Sequence, residues 1–151
     1  RFIYQMAYKP FWSGDSVNYS DVFYLWTHHI FVDAERTPGY PLFLGLVQWL
    51  ADNAPMARGM GVRSQYLAVH LQCLLGLLAA VFIYFSLRAL SVRPKLALAG
   101  GIGFALIGAV CFFEMLILSE LLSLFSLILG ILFFLRCMQE VMVLALRLSP
   151  C

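Results

Sequence analysis

The stretch QYLAVHLQCLLGLLAAVFIYFSL, from Gln65 to Leu87, carries no formal charge and is bounded by Arg63 and Arg88. It is longer than the roughly 20 apolar residues that a helix needs to cross a bilayer. Its apolar residues run continuously rather than alternating, so it is not a strand with one wet face. Two further uncharged runs follow: Leu96 to Phe113, between Lys95 and Glu114, and Leu121 to Leu135, between Glu120 and Arg136. The last is short by itself. It is expected to continue past Arg136, whose long side chain can snorkel to the membrane surface. Barrel strands would need only about ten residues each. The expected fold is therefore all-α and polytopic, with three transmembrane helices over residues 63–151.

Composition agrees. Of the 151 residues, 62% are hydrophobic and 12% charged, against about half and a quarter in soluble domains. A net charge of +2 without a basic stripe argues against nucleic acid as a partner. Cys73, Cys111, Cys137 and Cys151 form no CxxC and no metal-ligand spacing with histidine, so neither a disulfide framework nor a zinc site is expected. Arg1 rather than Met opens the chain and a hydrophobic stretch nearly closes it. The natural polypeptide is expected to extend in both directions.

Residues 1–62 differ from the rest. Phe2, Tyr4, Tyr8, Phe11 and Trp12 form an aromatic opening of the kind that favours membrane–water interfaces. Residues 13–62 hold Asp15, Asp21, Asp33, Glu35 and Asp52 against Arg36 and Arg58, with prolines and glycines between them. This predicts a large polar loop with short helices, one over Asp15–Trp26 and one over Leu42–Leu50. The second is too short to span and is expected to lie at the interface.

Loop charges set the orientation. Arg88, Arg93 and Lys95 separate the first two spans with no acid among them, and Glu114 and Glu120 separate the next two with no base. The positive-inside rule places residues 88–95 in the cytoplasm. The 13–62 and 114–120 segments then share the outer face, and two acidic segments converge there.

Each candidate group has a plain alternative. Asp15 in Gly14-Asp15-Ser16 suits a general base or a metal ligand, and equally a helix N-cap. Arg36 can grip a phosphate with its planar fork, or pair with Asp33 or Glu35. Ser119-Glu120 has the form of an N-cap followed by a first-turn acid. Glu114 and Glu120 are costly against lipid, so both are expected to face protein or water. His28 and His29 point different ways on a helix and read as solvated loop histidines, with a metal role as the alternative. His70 is expected to hydrogen-bond a neighbouring helix.

Gly14-Asp15 with Tyr19, then Arg36-Thr37-Pro38-Gly39-Tyr40-Pro41-Leu42-Phe43-Leu44, resembles the first outer loop of GT-C-type membrane glycosyltransferases. The nearest branch is the protein mannosyltransferase and aminoarabinose transferase group of bacterial relatives. The resemblance covers roughly residues 11–130, and Ser119-Glu120 matches a later Ser-Glu that opens a helix on the same side. One departure is that many relatives carry paired Asp-Glu where this chain has Asp15-Ser16.

The resemblance implies an N-terminal portion of a multi-pass enzyme in the cytoplasmic membrane with its active site on the outer face. It implies inverting transfer of a sugar from a polyprenyl-phosphate donor to a glycan, lipid or protein acceptor. Asp15 would be catalytic, and Arg36, Tyr19, Tyr40, Glu114 and Glu120 would bind substrate. The metal requirement stays open, a divalent cation being one option. The alternatives are a transport or non-catalytic subunit of a membrane assembly, and a polymerase or ligase acting on lipid-linked glycans.

Overall fold

The computed structural model describes Pro10 and residues 39–52, 60–117 and 119–148. These residues form five helices in chain order: α1 (Gly39–Asp52), α2 (Val62–Ala89), α3 (Pro94–Ala105), α4 (Gly108–Met115) and α5 (Glu120–Leu148). The expected Asp15–Trp26 helix lies outside the described residues.

The helix expected over Leu42–Leu50 is longer at both ends, running from Gly39 to Asp52. Pro41 falls in the first turn of α1. There the missing N–H would have no partner within the helix anyway. One face of α1, comprising Tyr40, Pro41, Leu44, Gly45, Val47 and Gln48, is buried. The other exposes Leu42, Leu46, Trp49 and Leu50. The buried face meets Met60, Ala68, Val69 and Ile117 to form the core, at the N-terminal half of α2.

Helix α2 begins at Val62 rather than Gln65. Its start is closed by the Ser64 hydroxyl donating to the Gly61 carbonyl at 2.9 Å and by Gln65 Nε2 donating to the Met60 carbonyl at 2.9 Å. Its end is a Schellman motif: the Ser91 N–H bonds the Arg88 carbonyl and the Val92 N–H bonds the Leu87 carbonyl, both at 3.0 Å. Ser91 takes the left-handed conformation this needs, with φ 63°. Pro94 then opens α3 at a position where its ring is tolerated.

The second expected span is not one helix. Residues 96–113 divide between α3, of 12 residues, and α4, of 8, with Ile107 extended at φ −63°, ψ 113°. Gly100, Gly101, Gly103 and Gly108 crowd this stretch, each costing about 0.5–1 kcal/mol of helix stability relative to alanine. At the break the Leu106 N–H is shared between the Ile102 and Gly103 carbonyls, and the Ile107 N–H bonds the Phe104 carbonyl at 3.1 Å. These i→i+3 bonds tighten the last turn of α3.

The two short helices together lead the chain back along α2. Gly101 lies against Ala80 and Tyr84, and Leu116 reaches Gln72. Helix α5 then runs in the same sense as α2, with Phe125 beside Phe82 (ring centroids 5.7 Å apart) and Gln139 Nε2 donating to the Ala89 carbonyl. As expected, α5 continues past Arg136, which is exposed.

Two helices, α2 and α5, are long and apolar enough to cross a membrane. Only 33% of the apolar window of α2 and 11% of that of α5 is buried, whereas the core helix of a soluble protein is mostly covered. Leu127, Phe133, Phe134 and Met138 are among the large exposed side chains of α5.

At the α2–α3 seam Gly101 lies against Ala80 and Tyr84, and small residues are buried on both helices, Gly76, Ala79 and Ala80 on α2 and Ala97 and Gly101 on α3. Small side chains let two backbones approach closely, which is how helices gain contact where burial from water contributes little. A Cβ on Gly101 would lie 2.9 Å from the Ala80 carbonyl oxygen, a backbone atom that cannot swing aside. Gly101→Ala is therefore expected to lose about 1–3 kcal/mol of stability. Gly103→Ala, with nothing within 4 Å of the added carbon, is expected to gain up to about 1 kcal/mol from helix propensity. Unfolding of both variants in one detergent checks this, and a Gly101→Ala protein as stable as the parent would refute the close seam.

Candidate functional site

Tyr40 is the second residue of α1, so the Pro38-Gly39-Tyr40-Pro41 sequence delivers its ring directly onto α2. The ring is 1% exposed and stacks on Phe43 at 5.8 Å. Its hydroxyl accepts a hydrogen bond from Gln72 Nε2 at 3.4 Å, and the other N–H of the same amide donates to the Leu116 carbonyl at 3.2 Å. One side chain of α2 thus joins the segment before it to the segment between α4 and α5.

Polar side chains on α1, α2 and α4 are buried. Gln72 and Glu114 are each 1% exposed and Gln48 is 5% exposed. A buried carboxylate costs several kcal/mol unless its surroundings compensate, so α4 holds Glu114 among protein rather than against lipid. Glu120, six residues on, is exposed in the first turn of α5. The Ser123 N–H bonds the Ser119 carbonyl at 3.0 Å, which puts Ser119 at the N-cap position, as its sequence predicts.

Of the sequence-predicted site residues, the structure brings Tyr40 and the Glu114–Glu120 segment to one end of the bundle, at the N-terminal half of α2. It separates their exposures: Tyr40 and Glu114 are interior, Glu120 is at the surface. Asp15, Tyr19 and Arg36 lie outside the described residues, as do His28, His29, Asp33 and Glu35. Among the described residues no group of three His, Cys, Asp or Glu could hold a metal ion.

His70 is exposed, and its Nδ1 meets the Tyr66 carbonyl of its own helix at 2.6 Å, a bond in which the ring N–H must donate. This bond lies within α2, not across to a neighbouring helix. Cys73 is buried, Cys111 half-buried and Cys137 exposed.

Sequence reasoning missed Gln72. The signal was an amide in the middle of a mostly apolar run, where a polar side chain needs a partner from another segment. The chain matches no family model, no curated protein and no solved structure.

Proposed function

We propose that the chain is part of a multi-pass membrane glycosyltransferase acting at the outer face of the cytoplasmic membrane. The sugar moves, with inversion, from a polyprenyl-phosphate donor to an acceptor hydroxyl. What carries this reading is the Arg36-to-Pro41 motif, whose Gly39-Tyr40-Pro41 opens α1, with Tyr40 tied through Gln72 to Leu116, which lies between Glu114 and Glu120 in sequence. The described end of the first resembling segment, at Tyr40, is thereby linked to Leu116, three residues before Ser119.

In this reading the acceptor oxygen attacks the anomeric carbon and gives its proton to the Asp15 carboxylate. The bond from that carbon to the phosphate oxygen breaks, and both electrons leave with the phosphate, which Arg36 holds bidentately. A phosphate leaves without needing a general acid, so one base suffices. An inverting hydrolase needs an acid as well as a base. The exposed Glu120 serves substrate binding, Tyr40 and Glu114 shape the site from within, and Tyr19 completes the loop contacts.

The membrane arrangement supporting this has α2 and α5 crossing in one direction and the broken α3–α4 pair returning between them. Ser91 and Ser119 then lie on opposite sides. With cysteines placed there, an impermeant thiol reagent is expected to label position 119 from outside and position 91 only after permeabilisation. The reverse pattern inverts the topology and removes the mechanism. The function itself is tested by giving the intact natural polypeptide, in liposomes, a polyprenyl-phosphate sugar and following release of polyprenyl phosphate. Absence of release with every sugar offered counts against transfer.

One observation favours the transport reading instead: the interrupted α3–α4 pair places the buried Glu114 on the second of two short helices, an arrangement transporters use near substrate sites. Uptake or exchange of a solute by the same liposomes, lost in Glu114→Gln, decides for it.

A further inference from the structure

At the opposite end of the bundle from Tyr40 and Gln72, the α2–α3 turn exposes Arg88, Arg93 and Lys95 together with Leu90 and Leu96. The turn is rigid. The Schellman bonds close it, and the Arg88 guanidinium donates to the Val92 carbonyl at 2.7 Å. Gln139 of α5 donates to the Ala89 carbonyl beside it, which brings the exposed Arg136, one turn earlier on α5, to the same end. Among the described residues, the side chains of Arg93, Lys95 and Arg136 make no ion pair or hydrogen bond with protein. The neighbouring acid is Glu140, next to Gln139 in sequence and exposed.

The charge is also placed against the backbone. Helix α3 starts at Pro94 with no acid in its first turn and no side-chain cap. Its N-terminus carries the positive end of the helix dipole. Arg93 and Lys95 therefore add cations where a helix is best served by an anion. Leu90 and Leu96, 58% and 62% exposed, offer apolar surface within a few residues of those cations. Cations beside exposed leucines at the end of apolar helices match a phospholipid, whose phosphate and acyl chains present the complementary pair.

We infer that the α2–α3 turn, with Arg136 of α5, binds the headgroups of anionic phospholipids. The inference rests on α2 and α5 crossing a membrane, and is independent of any transferase chemistry at the other end. Affinity comes from Arg93 and Lys95 as uncommitted cations, with Arg88 held in place by its bond to Val92. The lipid would fix the depth of the bundle at this face.

The test uses the intact natural polypeptide in neutral detergent, titrated with phosphatidylglycerol or with phosphatidylcholine, retained lipid being counted by native mass spectrometry. Phosphatidylglycerol is expected to be retained preferentially, and the preference to fall with added salt. Arg93→Gln with Lys95→Gln is expected to weaken phosphatidylglycerol retention roughly thirtyfold, about fivefold for each charge removed, and to leave phosphatidylcholine unchanged. Arg93→Lys keeps the charge and is expected to keep the preference. Arg63→Gln, which removes an exposed cation from the far end of α2, is expected to leave it intact. Equal retention of the two lipids, an equal loss in Arg63→Gln, or displacement of the lipid by an equal concentration of inorganic phosphate would each overturn the inference.

Discussion

Asp15→Asn is expected to lower sugar transfer by about 10²–10⁴-fold, the usual share of a positioned general base, with no loss of folded protein. The substitution separates the two roles this residue can play. Asparagine caps a helix about as well as aspartate, so a capping residue would tolerate the change at near-normal turnover. It cannot take a proton from an acceptor hydroxyl, so a catalytic base would not. Arg36→Lys is the companion. It keeps one positive charge but loses the planar fork, and is expected to raise the donor KM with less effect on kcat. The readout is transfer from a polyprenyl-phosphate sugar by the intact polypeptide in liposomes, with helicity and thermal midpoint measured on the same preparations. A well-folded Asp15→Asn protein with wild-type turnover would make Asp15 structural and move the search for the carboxylate to Glu114, Glu120 or another part of the polypeptide.

Tyr40→Ala is expected to destabilise the helical bundle by about 3–5 kcal/mol, the range for deleting a buried aromatic ring. The ring is 1% exposed, stacks on Phe43 and packs within the core formed by α1, α2 and Ile117. Tyr40→Phe keeps the ring and removes only the hydroxyl that accepts from Gln72, so about 1 kcal/mol is expected. Gln72→Leu leaves the Leu116 carbonyl without that donor and is expected to cost about 1–3 kcal/mol. Combined with Tyr40→Phe, it should cost less than the two singles added, because they share one bond. Unfolding of the four proteins in one detergent measures the cycle. Exact additivity would mean that the Gln72–Tyr40 bond contributes nothing. A Tyr40→Phe protein of unchanged stability but lost transfer would reassign the hydroxyl from the core to substrate.

Much of the fold is legible in the sequence because long apolar helices need uncharged runs and little else. Gln65–Leu87 and Leu121–Leu135 both fall inside long helices. The continuation past Arg136 followed from the length of its aliphatic stem. Leu96–Phe113 misled because hydropathy does not register glycine. Four glycines between 100 and 108 leave a stretch as apolar as before while weakening its backbone, and the helix divides at Leu106 and Ile107. The extent of α1 was missed for a related reason: Pro41 reads as a breaker unless the start of the helix is known.

The sequence by itself determined the helical class, the long apolar segments, the basic α2–α3 turn and the motif from Arg36 to Pro41. These are local properties, set by the composition of a window. Only the tertiary structure decided that Tyr40 and Glu114 lie inside while Glu120 lies outside, and that Gln72 joins Tyr40 to the Leu116 carbonyl. A helix carries every third or fourth residue to the same face, but which face meets protein depends on where the neighbouring helices pack. The small residues of the α2–α3 seam bring the returning chain close to α2, and that return carries Leu116 to Gln72, 44 residues away in sequence.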